Sequence, residues 1–402
     1  MTRELVFHLG DRKAGSTSIQ DTLRLKNWIG SVPSLGFRPK MMHYAYVAAA
    51  TVDGGMNPKR RESLVELADQ LANSPEDIGV ISAEEFENSN PALLRDLLEN
   101  FLPGFAKNAR FIAYVRPHAD RLLSSYSERV KVGGFSGSIS EHVDVAVKKK
   151  ELHYLPRFQR WRQVFGDRFE LRPMIRAQLH ENCVVRDFLS FAFQSKDFTL
   201  LSDPASNVSL GLEDLAALIE FHRYMFDLPP ASKAQPSIGR YLAIFLAGLP
   251  RQTSTKPAMT HATYLRLRDV FSADAQALDR MFFDGTPMMD ALNTAEMRTV
   301  EVEQSLRVED HFGADAVRLI QAFSQLVTKL ASYEPKVWSQ HITALRLGRA
   351  GPLNESRVTA NQGKGLAQAT RLSKVGEPRV QGLGASTAVG MRRRKDRPVR
   401  ND

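Results

Sequence analysis

Along the first half of this chain, apolar residues fall into short, nearly continuous runs separated by helical stripes. The first run, residues 4–9 (Glu-Leu-Val-Phe-His-Leu), ends at Gly10 and a polar loop, and a helical pattern starts at about Thr17. Two further runs read as buried strands, Ile78–Ser82 and Arg110–Val115, and Phe169–Met174 reads as a fourth strand. Helical spacing covers 60–72, 91–101 and 118–131, and a stripe of Val184, Val185, Phe188, Leu189 and Ala192 marks a helix over 181–193. Buried strands alternating with helices predict an α/β fold around a parallel sheet. Beyond residue 205 the pattern is helical almost throughout, over 211–227, 237–248, 261–283, 294–307, 313–331 and 335–347. Periodicity ends at Gly351, where Gly, Ser, Ala, Gln and Arg take over. The chain therefore divides into an α/β core over 1–205, a helical cap or acceptor-binding region over 206–350, and a disordered tail over 351–402.

Composition refines this picture in two places. A hydrophobic content of 43% with 25% charged residues is enough to bury a core, and no apolar run reaches the roughly 18 residues that span a bilayer. The net charge of +9 is unevenly placed: residues 350–402 carry eleven Lys/Arg and four Asp/Glu, which leaves +2 for everything before them. A near-neutral body gives no reason to expect a nucleic-acid-binding domain. The Arg-Arg-Arg-Lys run at 392–395 predicts at most a weak contact with acidic surfaces. One cysteine, Cys183, excludes internal disulfides, and no Cys/His cluster has metal spacing. With no leader-like start, the expected compartment is cytoplasmic.

The loop after the first strand, Gly10-Asp-Arg-Lys-Ala-Gly-Ser-Thr-Ser18, holds the clearest chemistry. A strand–loop–helix junction presents unpaired N–H groups and the positive end of a helix dipole, which suit an anion. Gly15 lets a phosphate approach the backbone, Ser16 and Thr17 add hydroxyls, and Lys13 adds charge. The Walker order, with Lys after the second Gly, is not met. A second set follows the third long strand: Arg116 at its end, then Pro117, and Ser124 two turns into the next helix. A guanidinium fork and a hydroxyl there are suited to a second phosphate.

Lys13-Ala-Gly-Ser-Thr resembles the Lys-x-Gly-Thr-Thr loop of sulfotransferases that use 3′-phosphoadenosine 5′-phosphosulfate (PAPS). Arg116, Arg121, Ser124 and Tyr126 resemble the arginine–serine motif with which that family binds the 3′-phosphate. Arg12 stands where the family often has Pro, Ser16 where it has Thr, and the proline after Arg116 comes one place early. Asn207-Val-Ser-Leu and Val-Arg-Asp-Phe-Leu around Phe188 are similar to wording in bacterial enzymes that sulfate glycans. The resemblance implies a P-loop-like three-layer fold and a sulfuryl transfer to a hydroxyl, of a glycan or lipid-linked sugar, without metal. It assigns Arg12, Lys13, Ala14, Gly15, Ser16, Thr17 and Ser18 to the 5′-phosphosulfate, and Arg116 and Ser124 to the 3′-phosphate. Lys13 would also stabilise the leaving phosphate. The general base stays open among Glu84, Glu85 and His43, with Glu84 favoured by its slot after the second strand. The rival readings are a nucleotide kinase-like enzyme and a non-catalytic glycan- or partner-binding protein on the same frame.

Overall fold

A computed structural model of the chain describes residues 2–39, 43–52, 55–203, 209–225, 228–229, 233–250 and 254–346. The basic tail and Asn207 lie outside the described residues. One compact unit runs to Thr343, and residues 344–402 are grouped separately.

The first half supplies strands β1 (Glu4–Leu9), β2 (Trp28–Gly30), β3 (Leu35–Gly36), β4 (Ile78–Ala83), β5 (Arg110–Val115), β6 (Phe169–Pro173) and β7 (Phe198–Leu200). Between them lie helices α1 (Ser16–Leu25), α2 (Ala45–Ala50), α3 (Pro58–Ala72), α4 (Pro91–Phe101), α5 (His118–Lys131), α6 (Ile139–Lys148), α7 (Leu155–Phe165) and α8 (Val184–Phe193). The rest is helical: α9 (Leu212–Tyr224), α10 (Ala234–Gly248), α11 (His261–Phe282), α12 (Pro287–Thr294), α13 (Ala314–Tyr333) and α14 (Pro335–Arg346).

Five parallel strands make the main sheet in the order β3-β4-β1-β5-β6, while β2 and β7 pair antiparallel apart from it. Strand β1 is central, with Glu4 opposite Ile78 and Val6 opposite Arg110. It must be buried on both faces, which is why it reads as a run rather than an alternation. On one face Phe7 stacks on Phe111, and Phe111 packs on Trp161 and Phe165 of α7. On the other, His8 lies against Tyr114 and Phe188 of α8. Its Nδ1 is 2.8 Å from Ser82 Oγ, which also accepts from Gln20 of α1. Helices thus cover both faces of the sheet.

Local signals set several helix starts. Asn57 and Asn90 cap α3 and α4, each followed by proline, and Ser138 and Glu141 form a capping box on α6. Asp274 of α11 ties the helical half to the sheet region. Its two oxygens accept from the amides of Tyr154 and Leu155, and Oδ2 lies 3.1 Å from His118 Nε2.

The helix expected over 294–307 does not form. A short turn at Ala295–Arg298 ends it, and the backbone of Val300 instead bonds Met259 and His261. Within that range Met297 and Val302 are exposed.

Candidate functional site

Strands β1 and β5 are neighbours, but the chain leaves β1 toward β3 and β4 and leaves β5 toward β6. Such a reversal opens a crevice beyond the carboxyl ends of the two strands, where open α/β sheets bind ligands. The two sequence-predicted loops end there.

After β1, the backbone is left-handed at Lys13 (φ 64°) and at Gly15 (φ 84°). Gly15 is required on two counts, since a Cβ would lie 2.9 Å from Val184 Cγ1 and a side chain resists that φ. Ala14 is buried, with its amide on the Asp11 carbonyl, and the Ser16 hydroxyl turns back to the same carbonyl. No side chain caps α1, so its first N–H groups are left for a ligand or solvent. Thr17 is exposed, and Ser18 half-buried beside it.

After β5, the Arg116 guanidinium donates to the Lys13 carbonyl at 3.0 Å. Among the described residues no carboxylate lies within ion-pair distance of it. Burial lowers its pKa, with Asp120 pulling the other way. The Arg116 carbonyl accepts from the Tyr154 hydroxyl, which holds the strand end in place. Ser124 follows on α5, half-buried, with no hydrogen bond from its hydroxyl among the described residues.

Lys13 reaches across to α5, where Nζ donates to Glu128 Oε2 at 2.9 Å. Burial pushes the Glu128 carboxyl up, but the Lys13 charge and hydrogen bond outweigh it, and its pKa falls below the ordinary value. Sequence reasoning missed Glu128. The available signal was its position four residues after Ser124, on the same face of α5.

The catalytic candidates gather at the end of β4. Glu84 and Glu85 open a 3-10 turn over Glu84–Asn88. Burial raises the Glu84 pKa, against the pull of Lys13, and neighbouring Glu85 adds to the rise. Tyr44 donates its amide to the Ser82 carbonyl, bringing His43 to the same strand end. His43 Nδ1 then lies 3.4 Å from Glu85 Oε2, an ion-pair distance, and neither buried atom has a hydrogen bond. Lys13, Glu84, Glu85 and His43 therefore belong to one cluster.

Beneath the loop runs an ion network that sequence reasoning also missed. Asp11 receives both guanidinium nitrogens of Arg157 at 2.8 and 2.9 Å. Glu87 lies within 3.6 Å of Arg12, Arg121 and Arg157. Burial, then the Asp11 charge, raises the Glu87 pKa against these arginines. Arg12 thus turns to an acid. A cavity of about 300 Å³, lined by Val52, Glu87, Asn88, Ser89, Asn90 and Arg160, opens at the far end of the turn. Among the described residues no group of three or more His, Cys, Asp or Glu has metal-binding geometry, and no helix is long and apolar enough to cross a membrane.

No protein-family model, curated protein or solved structure matches this chain.

Proposed function

We propose that this protein is a PAPS-dependent sulfotransferase, acting on a hydroxyl of a glycan or lipid-linked sugar, on a P-loop-like three-layer fold. The observation that carries the reading is the meeting of the two loops: Arg116, half-buried and with no carboxylate at ion-pair distance among the described residues, hydrogen-bonds the carbonyl of Lys13. A partly desolvated cation that no acid holds in an ion pair suits a fixed anion. A phosphate on Arg116 and Ser124, and a second on the α1 N-terminus, are the two ends of the PAPS nucleotide.

The 5′-phosphosulfate sits on the amides and hydroxyls of Gly15, Ser16, Thr17 and Ser18. Arg12 stays with Glu87 and shapes the loop. Glu84, its pKa raised by burial, takes the acceptor proton. The acceptor oxygen bonds to sulfur as the bond from sulfur to the bridging phosphate oxygen breaks, and charge grows on the departing phosphate. Lys13 leaves Glu128 and stabilises that charge, so positioning and electrostatics do most of the work. His43, paired with Glu85, orients the turn and is the rival base. In the adjoining cavity Asn88 offers polar groups for sugar hydroxyls, whereas Ser89 Oγ is taken by Thr51 and the Ala48 carbonyl and Asn90 Oδ1 caps α4. A magnesium-dependent nucleotide kinase would need a free acid by the loop, and Asp11 is instead held by Arg157.

The test is ligand-dependent melting. The desulfated nucleotide, 3′-phosphoadenosine 5′-phosphate (PAP), raises Tm, and ATP with Mg²⁺ raises it much less. Equal effects, or none from PAP, refute the reading.

A further inference from the structure

Helix α13 carries two apolar stripes. The inner one, Val317, Ser324, Val327 and Ala331, faces the chain's own core, with Val327 and Ala331 packed among Phe221, Met225 and Ile238. The outer one is Leu319, Phe323, Leu326, Leu330 and Tyr333, each between 47% and 89% exposed. Only Phe323 leans partly inward, its ring stacked on Phe221. No charged residue interrupts this stripe.

Its spacing runs 4-3-4-3, a mean of about 3.5 residues, which is the period that meets a partner helix rather than a globular core. The five side chains present roughly 600 Å² of largely apolar surface, at the upper end of the largest patch an ordinary monomer leaves bare and about three quarters of the roughly 800 Å² per copy of a standard interface. The stripe is also complementary to itself. In an antiparallel crossing, Phe323 faces Leu326 of a second copy, Leu330 faces Leu319, and the small, exposed Ala316 faces the bulky Tyr333. Every contact then occurs twice about a two-fold axis, as an isologous dimer requires. Residues 351–402 of the same chain have no such apolar repeat to offer.

We infer that α13 is a homodimer seam, and that the occupant of its outer stripe is the α13 of a second copy, running antiparallel. This stands apart from the sulfotransferase reading.

Light scattering on the eluting full-length chain tests it. The wild type elutes at twice the mass of one chain and dissociates on dilution, whereas the Leu326→Lys/Leu330→Lys variant elutes at the single-chain mass with an unchanged circular dichroism spectrum. Leu319→Lys alone and Leu330→Glu alone are each monomeric, and mixing them restores the dimer, because those positions face one another only in the antiparallel register. The single-residue variants keep the test decisive if the double variant fails to fold. A wild type that stays at the single-chain mass at high concentration overturns the inference. So does a double variant that keeps the dimer mass. A monomer that dimerises only when residues 347–402 are removed would make the tail the occupant, and overturns it equally.

Discussion

At the scale of single residues, the site is a set of charges held in wait. Arg116→Ala is expected to weaken PAP binding by about 1.5–3 kcal/mol, the value of a charged hydrogen bond, read by calorimetry. Wild-type affinity would remove Arg116 from the site. Glu128→Gln should act oppositely. It releases Lys13 and takes a negative charge away from the anion, so PAP binds about fivefold tighter, near 1 kcal/mol for a half-exposed pair. Glu84 gives a pH test. Its native pKa lies above the ordinary 4.5, so the native chain holds that proton more tightly than the unfolded chain. The stability this contributes is full below 4.5 and is lost as pH rises through the elevated native value. Glu84→Gln removes that loss, so its Tm improves relative to wild type as pH rises above 4.5, while kcat for sulfate transfer drops by about 10²–10⁴. A relative Tm that instead falls across the same pH range would show that native contacts favour the ionised form. The places of Lys13, Gly15 and Arg116 at a strand end or helix start, and of Ser124 two turns into α5, were legible in the sequence. The pairs Lys13–Glu128 and Asp11–Arg157 were not, because each joins residues more than a hundred positions apart, and the one local clue, Glu128 four residues after Ser124, does not name its partner.

At the scale of elements, the phosphate loop depends on one backbone conformation. Gly15→Ala forces a side chain into left-handed φ and toward Val184, so chemical denaturation should show a loss of about 1–2 kcal/mol, with PAP binding lost as the loop rearranges. An unchanged midpoint would mean the loop tolerates another path. Strands β1, β4 and β5 were legible because burial on both faces makes each one continuous in sequence, and the edge strand β6 because its buried and half-buried positions alternate. Strands of two or three residues, β2, β3 and β7, carry too few positions to show a period. Helices α6 and α7 escaped notice although α6 has a complete capping box. The helix wrongly expected at 294–307 shows the opposite failure: apolar spacing alone does not say which face finds a core.

At the scale of the whole molecule, three of the four histidines buried among the described residues, His8, His142 and His222, should make the fold acid-sensitive. Burial lowers His8 to about 3, and His142 and His222 to about 4. Their common unfolded value is 6.5, so the stability they contribute is full above pH 6.5 and is lost as pH falls below it. Urea unfolding at pH 7 and pH 5 should differ by roughly 1–2 kcal/mol for each histidine, and ring chemical shifts of His8 should stay constant between them. A His8 ring that titrates in this range would contradict its burial. The central position of β1 has a consequence in time as well. Its neighbours begin at residues 78 and 110, so at ~5–20 residues per second of synthesis the strand waits several seconds for its first partner and longer for its second. During that interval Leu5, Val6 and Phe7 lack the two neighbouring strands that bury them in the finished sheet. The loop that begins at Gly10 is made before β4 and β5 but reaches its final setting only after both.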